Sequence, residues 1–321
     1  MEQTIVADIG GTNTRFAIAT KTVTGFAISA QWIQTSDNFS GLEDALAAYL
    51  QTIDSTNITK ACLAVAGPIV DGKVRVTRQG WDASISAMQK QFGFRDFNLV
   101  NDFTALAFSL PYLSTADTLD IYSQGEAGVG VKAIIGPGTG FGVAGLMPTN
   151  NSWQLIDGEG GHTSFAPTNA LEIEILKVLM TRSHRVSIES ILCGPGLVNL
   201  YSAMAAVRGE TAKALAPKDI AELGSSGVDP LCEAALHSFC AIMGSAAGDI
   251  ALVLRPTGGM YLAGGILPKI KDFFLASDFS SRFLAKEPMS HVVADIPIMM
   301  LATEDAAFVG AAASLELAQN N

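Results

Sequence analysis

Two widely separated segments, Ala7-Asp8-Ile9-Gly10-Gly11-Thr12-Asn13 and Ile134-Ile135-Gly136-Pro137-Gly138-Thr139-Gly140, share one plan: an apolar strand runs into a glycine and threonine turn, and a second strand leaves it. A turn this rich in glycine frees the backbone to aim its N–H groups at one point. A repeat at such long range suits two similar domains, each supplying one hairpin to a shared cleft. Elsewhere short β-branched runs alternate with amphipathic stretches, the pattern of α/β units. Strands are expected over 4–7, 14–19, 61–66, 74–77, 97–100, 132–135, 141–146, 260–263 and 296–301. Helices are expected over 41–53, 83–92, 170–180, 196–206, 231–254 and 305–317, the first of them capped by Asn38 and Ser40. The stretch 110–130, with Pro111 and little periodicity, reads as a linker between halves.

At 321 residues the chain is long enough for two domains at roughly 150 residues each. Apolar residues make up 49% and charged ones 16%, which excludes the composition of a disordered chain. Set against 31 acids, 20 bases leave a net charge of −11, which repels a phosphate backbone, so no nucleic-acid partner is expected. The mean hydropathy of +0.32 calls for a check on membrane spans. The uncharged run 133–156 holds five glycines and two prolines, and 190–207 holds Gly194-Pro195-Gly196, so neither reads as a spanning helix and no membrane partner is expected. The opening MEQTIVADIGG has neither a basic nor a long apolar region, so no export signal is expected. Cys62, Cys193, Cys232 and Cys240 form no CxxC and keep no metal-ligand spacing with histidine. Buried, reduced thiols and a cytoplasmic location follow as expectations.

The first turn, Asp8 to Arg15, can hold a phosphate: Gly10 and Gly11 allow close approach, Thr12 adds a hydroxyl donor, and Asp8 can bind magnesium through water. No lysine follows and the next element is a strand, so it is neither a Walker loop nor a dinucleotide fingerprint, and a plain glycine hairpin accounts for it equally well. The second loop, Gly136 to Gly142, repeats the device with four glycines in seven residues. A third, Leu262-Ala263-Gly264-Gly265-Ile266, is either a tight strand-to-helix turn or a surface flat enough for an adenine-sized ligand. Asn101-Asp102 stands after a strand and before an apolar run. Either residue can cap a helix there, or Asp102, kept ionised by the helix N-terminus, can act as a general base toward a hydroxyl attacking phosphorus. Glu159 and His162, in Asp157-Gly158-Glu159-Gly160-Gly161-His162, suit the adjacent hydroxyls of a sugar. Glu189 is a further hydroxyl acceptor or a solvated acid.

Together these motifs resemble the bacterial glucokinases of the hexokinase, actin and heat-shock-chaperone ATPase superfamily. DIGGTNTR resembles the family's first phosphate motif, GPGTGFGV its second and YLAGGI its adenosine motif; VNDFTA, GEGGHTSFAP and ILCGPGLVNLY resemble the segments around its sugar site. They occur in the family's order over 8–266, and the helix near Asp305 also fits. The resemblance implies an α/β, two-domain actin-like ATPase (ribonuclease H-like) fold with an interdomain active-site cleft. The smaller domain would span 1–110 plus 302–321 and the larger 111–301. It further implies phosphorylation of the 6-hydroxyl of glucose by ATP and Mg²⁺, with the domains closing over the sugar. Asp102 falls on the catalytic base. Asn101, Glu159, His162 and Glu189 fall on sugar ligands, with Gly138 as a backbone contact. Asp8, Gly10, Gly11, Thr12, Asn13, Gly138, Thr139, Gly140, Gly264 and Gly265 fall on the nucleotide side, and Asp8 on the magnesium. A homodimer is usual for the family.

Many related sugar kinases and repressors carry a cysteine-rich zinc motif that uses the GGH histidine. No CxCG cluster stands here, so His162 is expected to face sugar and no zinc is expected. With seven residues before Asp8, the DNA-binding segment of the related repressors is not expected. The same constellation could serve another hexose or an N-acylated hexosamine, and the fold could carry an ATP-switched binding module. The sugar-loop motif favours the kinase.

Overall fold

The computed structural model describes residues 2–76, 79–125, 127–150 and 152–318. In chain order the strands are β1 (Gln3–Ile9), β2 (Asn13–Lys21), β3 (Phe26–Thr35), β4 (Lys60–Val65), β5 (Ile69–Val70), β6 (Lys73–Arg75), β7 (Asp82–Ser84), β8 (Asp96–Asn101), β9 (Thr118–Tyr122), β10 (Lys132–Pro137), β11 (Phe141–Pro148), β12 (Trp153–Ile156), β13 (Met260–Leu262) and β14 (Ile298–Leu301). The helices are α1 (Leu42–Leu50), α2 (Ile85–Phe92), α3 (Asp102–Ser109), α4 (Ala170–Met180), α5 (Gly194–Arg208), α6 (Pro217–Ser225), α7 (Pro230–Leu254), α8 (Lys271–Leu275), α9 (Phe279–Leu284), α10 (Ser290–Ala294) and α11 (Ala306–Ala318). They form two compact units: Met1–Thr118 with Leu146–Leu155 and Thr303–Asn321, and Leu119–Gly145 with Ile156–Ala302.

The first unit is built on a sheet of order β3-β2-β1-β4-β8, with β1 parallel to β4 and β4 to β8, while β2 and β3 run antiparallel. Alternation along the strands gives it two apolar faces. Ile5, Ala7, Leu63 and Leu99 point to the α1 side, where Leu42, Leu46 and Tyr49 are buried. Val6, Cys62, Ala64 and Val100 point the other way, onto Ala105 of α3 and Phe308, Ala311 and Leu315 of α11. The α3–α11 crossing depends on glycine: a Cβ on Gly310 would lie 1.6 Å from the Ala105 carbonyl oxygen.

The six-stranded sheet has the order β12-β11-β10-β13-β14-β9, and its strands β10, β13 and β14, which belong to the second unit, are parallel. The core gathers around α7, whose N-cap Asp229 accepts from the Leu231 and Cys232 amides at 3.0 and 3.2 Å. This 25-residue helix is long and apolar enough to cross a bilayer, but 67% of its most apolar window is buried inside the protein, as in a core helix. At Gly244 it lets α9 approach so closely that a Cβ would stand 2.2 Å from the Phe279 carbonyl oxygen.

The expected strands and helices form within a few residues of their expected limits, except that Thr77 lies outside the described residues. Several differences are physical. The cap of α1 is Gly41, with no side-chain bond; Asp44 instead reaches back to accept from the Ser40 amide at 3.0 Å, and Asn38 donates to Gln34. Within the expected linker, β9 adds an edge strand. Neither β9 nor the exposed edge strand β3 has a continuously buried face, so little periodicity marks them. All four cysteines are buried and unpaired, as expected.

Candidate functional site

In the first unit the strands β1, β4 and β8 end level with one another, because Ile9 pairs with Val65 and Val65 with Asn101. Ligand sites in open α/β sheets gather at such a carboxyl edge. There β1 delivers Asp8 and the first glycine turn, and β8 delivers Asn101 and Asp102.

The turn is closed by the Gly10 amide donating to the Asn13 carbonyl at 2.9 Å. Its other carbonyls are held from outside the turn. The Ser36 amide donates to Thr12 at 2.9 Å, the Ser36 hydroxyl to Gly10 at 3.2 Å, and the Gln79 side-chain amide to Gly11 at 2.7 Å. With its acceptors occupied, such a turn has donors to offer an anion. Asp8 faces Arg15, its partner in the β1–β2 register, with Oδ2 3.5 Å from Nη1. Arg15 also donates from Nη2 to the Glu304 carbonyl at 3.0 Å and lies over the Phe308 ring. Burial pushes the Asp8 carboxyl above its usual range, and the guanidinium opposes only part of that.

The helix cap at the end of β8 falls to Asn101. Its Oδ1 accepts from the Phe103 and Thr104 amides at 2.9 and 3.4 Å, and its Nδ2 donates to Gly67 at 3.3 Å. The Asn101 side chain also hydrogen-bonds the neighbouring Asp102 carboxylate. Asp102 opens α3, with one oxygen accepting from the Phe103 amide at 2.9 Å. Its carboxyl is pushed up to about 6, chiefly by burial and with help from the charge of Asp8, against the Phe103 amide. The helix N-terminus favours the ionised form of this acid. In setting its pKa, desolvation outweighs the helix end, the Phe103 and Asp102 amides and the Asn101 side chain, and the group is still ionised at neutral pH.

In the second unit β10 and β13 are adjacent and parallel, with Ile135 beside Leu262. The second and third glycine motifs therefore emerge side by side, linked by the Ala263 amide donating to Ile135 at 2.8 Å. A Cβ on Gly136 would stand 2.0 Å from the Ala263 carbonyl oxygen, and one on Gly264, at φ +90°, 2.2 Å from that of Pro137. Those glycines serve packing. At Gly138 and Gly265 an added Cβ meets no protein atom within 4 Å, which leaves open space beside the backbone of each motif. The Gly138 amide donates to Gly140 at 2.8 Å across Thr139, and the Gly138 carbonyl accepts from Gly194 at 3.0 Å.

Glu159, His162 and Glu189 come together in the same unit. Nε2 of His162 lies 3.9 Å from a Glu159 oxygen and 3.8 Å from Oε1 of Glu189. The three side chains are 81%, 55% and 32% exposed, so the cluster is open to a hydroxylated ligand. Its backbone is pinned: the Glu189 amide donates to Gly161 at 2.9 Å, and the Arg185 guanidinium donates to the His162 carbonyl. Among the described residues no group of three His, Cys, Asp or Glu side chains is placed to hold a metal ion.

Sequence reasoning missed Arg15, Gln79 and Arg185. Arg15 was within reach, since a turn closing at 10 and 13 sets residue 15 opposite residue 8. Gln79 and Arg185 act across the fold, and no local pattern announces them.

A family model described as glucokinase matches residues 5–318. The glucokinase of Saccharophagus degradans is 44% identical over 313 residues, covering 97% of this chain and 98% of that relative. Among solved structures, a glucokinase from an Antarctic psychrotroph is 39% identical and superimposes with a TM-score of 0.90, covering 98% of this chain and 99% of its own. A glucokinase from Balamuthia mandrillaris, solved in complex with glucose, shares 20% identity and a TM-score of 0.80 over 98% of this chain and 93% of its own, a likeness of fold. The fold is the expected α/β, actin-like ATPase fold, and the chain belongs to the glucokinase family.

Proposed function

We propose that this protein transfers the γ-phosphoryl group of Mg-ATP to the 6-hydroxyl of glucose, with Asp102 accepting the hydroxyl proton and the two units closing over the sugar. ATP-dependent phosphorylation of glucose is the activity of a hexokinase-type kinase of this family. The observation that carries the finer reading is Asp102: a carboxylate buried at the carboxyl edge of β1, β4 and β8, with one oxygen on the Phe103 amide and a pKa of about 6. A base of that pKa is ionised at neutral pH and still basic enough to take a proton as the attacking oxygen loses it.

Glu159, His162 and Glu189 would orient the sugar, each accepting from or donating to ring hydroxyls, with Asn101 and the Gly138 backbone as further partners. The turn 10–13 and the motifs at 138–140 and 264–265 would hold the nucleotide, whose phosphate oxygens need donors and close backbone approach. Asp8 fits a magnesium ion: it is a half-buried carboxylate near enough to Asp102 to raise that residue's pKa, and among the described residues Arg15 offsets part of its charge. Held there through water, the ion would neutralise charge on the transferring phosphoryl group. Exclusion of water by closure would keep ATP from being hydrolysed instead.

ADP release from Mg-ATP, measured with and without glucose beside Asp102→Ala, tests the reading. Strong glucose-dependent release that the substitution abolishes is the expected result; equal turnover without sugar removes it. Mannose, fructose and N-acetylglucosamine in the same assay rank the acceptors, and a higher kcat/KM for any of them replaces glucose.

The open space at Gly138 and Gly265 gives a sharper expectation. Gly138→Ala and Gly265→Ala should leave the melting temperature within about 2 °C, since no protein atom is met, yet raise KM for ATP by about tenfold through the methyl group's intrusion on the nucleotide. An unchanged KM for ATP in both would remove these two glycines from the nucleotide site.

A further inference from the structure

Glu189 makes more contacts than a sugar acceptor needs. Its Oε2 accepts from the Phe141 amide at 2.8 Å, immediately after the second glycine hairpin. The approach is so tight that a Cβ on Gly140 would lie 2.4 Å from the same oxygen. Oε1 is the atom that faces His162, at 3.8 Å. The Glu189 amide holds Gly161 of the sugar loop at 2.9 Å, and its carbonyl accepts from the Cys193 thiol at 3.0 Å. Cys193 in turn accepts from the Gly196 amide at 3.2 Å at the start of α5, and the neighbouring Gly194 amide donates to Gly138 at 3.0 Å. One residue is thus bonded on one side to the sugar loop and on the other, both directly and through the α5 N-terminus, to the hairpin at 138–140.

From this we infer that Glu189 is a positioning residue for the second phosphate hairpin as well as a sugar acceptor, so that each ligand's subsite is set in part by a group belonging to the other. The inference rests on the reading above, in which 138–140 serves the nucleotide and Glu189 the sugar. The physical reason is that the two carboxylate oxygens are divided between the subsites. The amide of the buried Phe141, once its acceptor is removed, must find another partner or move, and the hairpin moves with it.

Crosswise binding measurements test it, using a non-hydrolysable ATP analogue and glucose, each titrated alone by calorimetry. Glu189→Ala should weaken the analogue by about fivefold or more in the absence of sugar, while Glu189→Gln, which keeps an oxygen for the Phe141 amide, should hold it within about twofold. A residue that only bound sugar would change neither. Conversely Gly140→Ala, a change on the phosphate hairpin, should weaken glucose by about fivefold or more by displacing the Glu189 carboxylate. Gly140→Ala keeps the test open if Glu189→Ala does not fold. Wild-type affinity for the analogue in Glu189→Ala, or for glucose in Gly140→Ala, overturns the inference. Failure of the wild-type protein to bind glucose at all would instead overturn the functional reading on which it rests.

Discussion

Exchange of Asp102 for Asn is expected to lower kcat by about 10²- to 10⁴-fold while making the folded protein more stable at pH 7.5, by about 3 kcal/mol. Both effects come from one observation, that the carboxyl is raised from 3.8 to about 6. The folded-state pKa lies above the unfolded one, so the ionised carboxylate weakens the fold at every pH above about 6. That penalty fades between about 6 and 3.8 as the group takes up its proton, and it is absent below 3.8. Asparagine cannot ionise, yet its Oδ1 can still accept from the Phe103 amide. The stability gain should therefore be present in denaturant melts at pH 7.5 and gone at pH 3. In the wild-type enzyme the same proton uptake should make kcat/KM fall tenfold per pH unit below about 6, and Asp102→Asn should have no such limb. Undiminished turnover by the Asn variant would end the assignment of Asp102 as base; a loss of stability at pH 7.5 would show that the carboxylate is held by favourable contacts rather than desolvated. The combination, if measured, is that expected of a functional group kept at the expense of stability.

Gly310→Val is expected to destabilise the first unit by about 4 kcal/mol or more, enough to remove soluble folded protein under ordinary conditions. A Cβ at this position would lie 1.6 Å from the Ala105 carbonyl oxygen and 3.0 Å from the Ser109 amide nitrogen, both backbone atoms of α3 that cannot turn aside as a flexible side chain would. Relief requires α11 and α3 to separate, which would open the apolar layer formed by Val6, Cys62, Ala64, Phe308 and Ala311. Even Gly310→Ala, which adds only the methyl group, should shift α3. Because Asp102 is the first residue of that helix, any fraction that folds should show reduced kcat. Chemical denaturation of the Ala variant beside the wild-type protein reads the effect; a midpoint unchanged within error would mean that the crossing is looser than the backbone distances require.

The α/β class, the two glycine hairpins and the identity of almost every candidate residue were legible in the chain because each depends on neighbours in sequence. Strand periodicity, a Gly-Gly or Gly-x-Gly turn and an acid at the start of a helix are local arrangements of φ, ψ and hydrogen bonding, and the residues that make them stand within a few positions of one another. Even the Asp8–Arg15 pair is local in this sense, since hairpin register is set by its turn.

What the tertiary structure decided is how those residues are committed. Asn101 took the cap and left Asp102 to be desolvated; Gln79 came across from the β6–β7 hairpin to hold Gly11; Gly136 and Gly264 turned out to be packing glycines while Gly138 and Gly265 face open space; and Glu189 divided its oxygens between Phe141 and His162. None of this has a local signature. Desolvation is a sum over every atom that replaces water around a group, and a clamp between distant segments exists only once their sheets and helices are in register, so both are properties of the folded chain rather than of any stretch of it.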